Sequence, residues 1–140
     1  MSRVLGLDIG TVRIGVALSD LERFVATPLT TVPARDEQGA IREILALIET
    51  HEVTEIVAGL PLDLDGEVGR AAKRTARFLE RLAAKTPLTI HSIDERMTSV
   101  QAERTLIDAD LSRARRKQVI DRVAASLILQ TWLDAHRKWS

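Results

Sequence analysis

Two strand-length apolar runs, Val4-Leu5-Gly6-Leu7-Asp8-Ile9 and Arg13 to Ser19, stand back to back across Gly10-Thr11-Val12. Runs that short, with alternation in the second and a glycine at the join, predict a hairpin rather than a helix. The chain is thereby committed to a sheet from its first residues, and the remaining elements must cover that sheet. Phe24 to Val32 reads as a third strand, and Pro28 within it cannot donate to a ladder, which predicts an edge position or a bulge. The period then changes. Ile41, Ile44, Leu45 and Ile48 recur at helical spacing behind Asp36, a capping residue type, and the helix closes near His51. Glu55 to Leu60 is a short buried strand stopped by Pro61. A polar loop with Asp63, Asp65 and Gly66 leads into a long helix with Val68, Ala72, Thr75, Leu79 and Leu82 as its inner stripe. Arg70, Lys73, Arg74, Arg77 and Arg81 take its other faces and read as solvated surface. Leu88 to Ile93 follows Pro87 as a fifth strand, while Ser99 to Ala109 and Val119 to Ala135 are helical. Three meander strands followed by alternating helices and strands predict an α/β fold, a five-stranded mixed sheet flanked by helices.

A chain of 140 residues, 45% hydrophobic, buries a core of ordinary size, and residues 1–140 are expected to form a single domain. Its 20 basic and 20 acidic residues cancel, so no global field draws it to polyanions, and any such affinity must reside in local clusters. The absence of cysteine excludes disulfides, zinc-thiolate sites and thiol nucleophiles, and fits a reducing cytoplasm. Nowhere do about 18 apolar residues follow one another, so neither a signal peptide nor a membrane span is read, and no membrane partner is expected.

The carboxylates carry the chemistry. Asp8 ends an apolar strand, where a charge is costly unless it is paired, bonded to the amides of the Gly10-Thr11 turn, or bound to a cation. Asp94-Glu95 ends the fifth strand, and the carboxyl ends of parallel strands form the natural crevice of an open sheet; Asp8 and Glu95 meet there if their strands are parallel neighbours. Asp121 shares a helical face with Ala124, Ala125, Ile128 and Trp132 and points to the core, unless it caps a helix beginning at Gln118 or Val119. Three inward carboxylates without cysteine suit a hard cation, Mg2+ or Mn2+, rather than zinc. Two such ions about 4 Å apart activate water and stabilise a leaving oxygen at a phosphodiester. Arg96 follows Glu95, and Arg113, Arg115, Arg116 and Lys117 precede Asp121, so basic residues flank both acidic clusters. With 3% aromatics, recognition would rest on backbone and shape rather than stacking.

The stretch Gly6-Leu7-Asp8-Ile9-Gly10-Thr11-Val12-Arg13-Ile14-Gly15-Val16-Ala17-Leu18-Ser19-Asp20 resembles the N-terminal signature of the YqgF/RuvX family. Ile56 to Pro61 with Gly66 and Gly69 resembles its Gly-Leu-Pro loop, and Asp94-Glu95-Arg96-Met97-Thr98-Ser99 its Asp-Glu-Arg block. Lys117, Asp121, Ala124, Ala125, Ile128, Leu129 and Gln130 resemble its last helix, so the likeness spans nearly the whole chain in order. The resemblance implies an RNase H-like fold, kinship with RuvC-type Holliday junction resolvases, and a nuclease role in maturing the 5′ end of 16S ribosomal RNA. By position it implies Asp8, Glu95 and Asp121 as catalytic and metal-holding acids, with Asp94 able to replace or assist Glu95. Arg13, Arg96, Thr98, Arg115, Arg116 and Lys117 are the expected substrate-binding residues. RuvC-type enzymes carry a further acid in the last helix, whereas Arg122, Val123 and Ala124 follow Asp121 here, which weakens junction resolution relative to simple phosphodiester hydrolysis.

RNA is therefore the first expected partner and structured DNA the second, with the chain acting as a monomer or homodimer. Two other readings stay open. An actin or sugar-kinase type nucleotide binder shares the Asp8-Ile9-Gly10-Thr11 loop, but needs two domains and finds no Gly-Lys-Ser/Thr motif here. A non-catalytic module that only binds RNA or a protein partner fits the zero net charge.

Overall fold

The computed structural model describes residues 2–63, 65–100 and 113–137, with the backbone alone for 113–118. Strands β1 (Arg3–Ile9) and β2 (Arg13–Ser19) form the expected antiparallel hairpin, with Leu5 opposite Leu18 and Asp8 opposite Gly15. The Gly10 amide donates to the Arg13 carbonyl at 3.0 Å and closes the turn. Strand β3 (Ala26–Pro33) pairs antiparallel with β2 at the edge of the sheet, and its register slips between Val16 and Ala17, beside Pro28. Edge position and bulge together accommodate the missing donor.

Helix α1 (Glu37–Thr50) comes next, with Asp36 at the N-cap position but making no side-chain capping bond. Then come β4 (Val53–Leu60), α2 (Arg70–Ala83), β5 (Thr89–Asp94), a 3-10 turn over Glu95–Met97 and α3 (Arg113–Ala135). The sheet order is β3-β2-β1-β4-β5, with β4 parallel to both of its neighbours.

Strand alternation divides the interior into two apolar layers. Leu5, Leu7, Ile14 and Val16 pack with Ile41 and Ile44 of α1 and with Phe78, Leu79 and Leu82 of α2. Val4, Ala17 and Val57 on the other face pack with Ala124, Ala125, Ile128, Leu129 and Trp132 of α3.

Two expectations about the helices need correction. Val68 is outside α2 and 53% exposed, because Gly69 takes the N-cap position and ends the helical pattern there; Phe78 completes the buried stripe instead. Helix α3 is already formed at Arg113, not first at Val119, so Asp121 lies within the helix and is no cap. The helix expected over 99–109 lies, beyond Val100, outside the described residues. Among the described residues no helix is long and apolar enough to cross a membrane.

Candidate active site

Along β1, Val4, Gly6 and Asp8 alternate onto the face that carries α3. Asp8 is only 7% exposed, a carboxylate set into a sheet whose other buried positions are almost all apolar. Pairing of β1 with β4 runs to Leu7 opposite Ala58, so Asp8 and Gly59 are the next residues of their strands. A Cβ at Gly59 would stand 2.9 Å from Cγ of Glu95, 3.1 Å from its Oε1, and 2.6 Å from Cδ1 of Ile128. The Glu95 side chain therefore lies over Gly59 in the space a larger residue would fill. Here the expectation of β1 and β5 as direct neighbours fails: both run parallel, but β4 separates them, and a glycine in β4 lets the two acids approach across it.

Asp94 belongs to the opposite side. It continues the alternation of Ile90 and Ser92, which with Leu60 border α2. It accepts the Arg96 amide at 2.9 Å and the Arg96 guanidinium at 2.7 Å, and these bonds from Arg96 hold its carboxyl below the usual carboxylate range. The same pairing raises the Arg96 guanidinium above its ordinary value. Thr98 donates its hydroxyl to the Glu95 carbonyl at 2.7 Å and accepts the Val100 amide at 3.3 Å. Arg96 and Thr98, both expected at the substrate, thus brace the turn that presents Glu95.

Asp121 is set by a backbone contact. A Cβ on Gly15 would meet the Asp121 carbonyl oxygen at 1.8 Å, so α3 rests directly on β2, at the residue opposite Asp8. Its neighbours Ala124, Ala125, Ile128 and Trp132 are buried, as the helical spacing predicts. The Asp121 carboxylate accepts from Arg13 Nε at 2.9 Å, with about a quarter of each side chain exposed (27% and 23%). Arg115, Arg116 and Lys117 fall in the first turns of α3, and their side chains are outside the described residues.

Asp8 and Glu95 thus border the Gly59 gap, while Asp121 reaches the same end of the sheet but is engaged by Arg13. Among the described residues no three His, Asp or Glu side chains converge tightly enough to hold an ion as they stand. The donor chemistry of these groups, all carboxylate oxygen, fits a hard divalent cation. Sequence reasoning overlooked Gly15 and Gly59, although glycine inside a strand signals close approach by another group.

A mixed sheet in this order, with acids at the parallel ends and a helix laid over them, is an RNase H-like fold. A family model described as RuvX, Holliday junction resolvase, matches residues 2–135, and the chain belongs to that family. A protein of Myxococcus xanthus (strain DK1622), described as "Putative pre-16S rRNA nuclease", is 47% identical over 135 residues, covering 96% of this chain and 89% of that one. A protein of Roseiflexus sp. (strain RS-1) with the same description is 45% identical, covering 96% of both. Among solved structures, T. thermophilus RuvC in complex with a Holliday junction substrate superposes with a TM-score of 0.59 at 12% identity over 96% of both chains. That last likeness is one of fold.

Proposed function

We propose that this protein is a nuclease that hydrolyses phosphodiester bonds in precursor 16S ribosomal RNA, using Asp8, Glu95 and Asp121 with a divalent cation, Mg2+ or Mn2+. The observation that carries this reading is the pair of glycines that bring the three acids to one end of the sheet. Gly59 makes room for Glu95 beside Asp8, and Gly15 seats the Asp121 segment opposite Asp8. The names of the relatives support RNA as the substrate.

A divalent cation held by Asp8, Glu95 and Asp121 would supply activation of water and neutralisation of charge on the leaving oxygen. Asp8, held by β1, is the fixed oxygen donor. Glu95 is oriented by the 3-10 turn that Asp94, Arg96 and Thr98 stabilise. Asp121 would hold the cation with its carboxylate, and Arg13, which it accepts from at 2.9 Å, would lie at the same end of the sheet, where its planar donor fork suits two oxygens of the scissile phosphate.

The test is incubation of the purified protein with precursor rRNA, single-stranded RNA, duplex RNA and a four-way DNA junction, with and without Mn2+. Mn2+-dependent cutting of the precursor, abolished by Asp8→Asn, is expected. Cutting of the junction alone would move the substrate to structured DNA, and no cutting of any substrate would defeat the nuclease reading.

A further inference from the structure

The face of the sheet away from α3 carries a second charged feature that the proposed chemistry leaves unused. Between the β1–β2 turn, the start of α1 and the outer side of α2 lies a cleft of about 360 Å3, with Gly10 and Thr11 at one end and Arg35, Arg74, Arg77 and Arg81 on its walls. Arg74, Arg77 and Arg81 are spaced three and four residues apart, so they project from one face of α2. Glu37 is the single acid of the lining, and it forms an ion pair with Arg81. Arg35, Arg74 and Arg77 are exposed, and their guanidinium groups make no hydrogen bond or ion pair among the described residues.

Three uncompensated guanidinium groups facing one cleft repel one another and concentrate anions there. Guanidinium is also the group whose donor geometry matches phosphate oxygens two at a time. The position of the cleft selects among anions. Gly10 lies two residues beyond Asp8, at most about 7 Å along the chain, so the cleft opens where a strand leaving the acids would pass around the sheet.

We infer that this cleft holds the phosphodiester backbone of the nucleic acid flanking the cut site. This rests on the nuclease reading and adds the path of the substrate. The arginines of α2, which sequence patterning assigns to solvated surface, then form a second contact with nucleic acid remote from Arg115, Arg116 and Lys117.

The experiment measures binding rather than cleavage. In an Asp8→Asn background, Arg74→Ala with Arg77→Ala is compared with Arg42→Ala with Lys85→Ala, which removes the same charge outside the cleft. An RNA oligomer long enough to reach from Asp8 into the cleft should bind the cleft variant about tenfold more weakly near 0.1 M salt, with the slope of log affinity against log salt reduced by about 1.4. Arg35→Glu, alone, should weaken the same oligomer. Equal losses in cleft and control variants, or no loss in either, would overturn the inference. So would a mononucleotide that binds the wild type as tightly as the oligomer, since the cleft would then be a small-anion site. The two readings fail separately: a wild type that cuts RNA, with no binding difference between the variants, removes the cleft alone, and a binding difference between the variants, with a wild type that cuts no RNA, removes the nuclease reading alone.

Discussion

Gly15 and Gly59 both make room on the α3 face, yet they differ in what they make room for. At Gly15 the obstacle to a methyl group is the Asp121 carbonyl, backbone that cannot move without shifting a whole helix. Gly15→Ala should therefore cost about 3 kcal/mol or more through overpacking and lower the melting temperature by several degrees. At Gly59 the nearest atoms belong to the side chains of Ile128 and Glu95, which can rotate aside. Gly59→Ala should keep most of the stability and lose most of the cleavage, because the carboxylate it displaces is a proposed metal ligand; a Gly59→Ala protein that cuts normally would remove Glu95 from the site. Arg13 and Asp121, 108 residues apart, form a contact that no sequence pattern discloses. It changes what Asp121→Asn should do. A partly exposed pair of this kind, open to solvent screening, contributes about 1 kcal/mol, and Asn can still accept from Arg13, so the variant should melt within about 2 °C of wild type while showing a smaller Mn2+ shift. Arg13→Ala should show the opposite, a larger Mn2+ shift than wild type, because Asp121 is released before the ion arrives. Equal shifts in all three proteins would mean that Asp121 binds no ion.

Elements were more legible than residues where the apolar period was strong. Both hairpin strands, α1, β4 and β5 fall within a few residues of their expected spans, because each buries a regular stripe. The start of α3 was hidden, since Arg113 to Gln118 carry no apolar residue beyond Ala114 and offer no period to read. Strand order was hidden as well. Nothing local says that β4 enters between β1 and β5, although the whole crevice depends on it. Those parallel strands are also tied laterally by Glu55 of β4, which accepts from Arg23 at 2.7 Å and meets Nε2 of His91 on β5 at 2.7 Å. Burial pushes the Glu55 carboxyl up, but the bonds from Arg23 and His91 outweigh it and leave it below its ordinary value. A carboxyl depressed in the folded state adds stability above its unfolded value, about 4.3, and loses it as pH falls through the folded one. Thermal melts of wild type and Glu55→Gln should differ at pH 6 and draw together as the pH falls below the usual carboxylate range. A gap that is the same at both ends would mean that the tie works through packing rather than charge.

For the molecule as a whole, a formal net charge of zero conceals local clusters, among them the acids under α3 and the arginines on α2. Composition could not show this, because totals say nothing of where charges gather. The two faces also differ in how much change they tolerate. Total stability of a domain this size is about 5–15 kcal/mol, so one misplaced methyl group at Gly15 removes a large share of it. Gly39 presents the reverse case. It lies in the first turn of α1, beneath the layer opposite the acids, and the nearest atoms to a Cβ there belong to the Asp36 side chain, which is exposed and makes no capping bond. Gly39→Ala should stabilise the protein by about 0.5 kcal/mol, a rise of about 2 °C in a calorimetric scan, with cleavage unaltered. No rise would mean that Asp36 is held where it stands. The direct rest of α3 on β2 therefore sets a rule for engineering: exchanging glycine for alanine, a standard route to hardier proteins, is open on the α1 side and closed along the seam through Gly6, Gly15 and Gly59, where the missing methyl groups are the tolerance to which the cutting edge is machined.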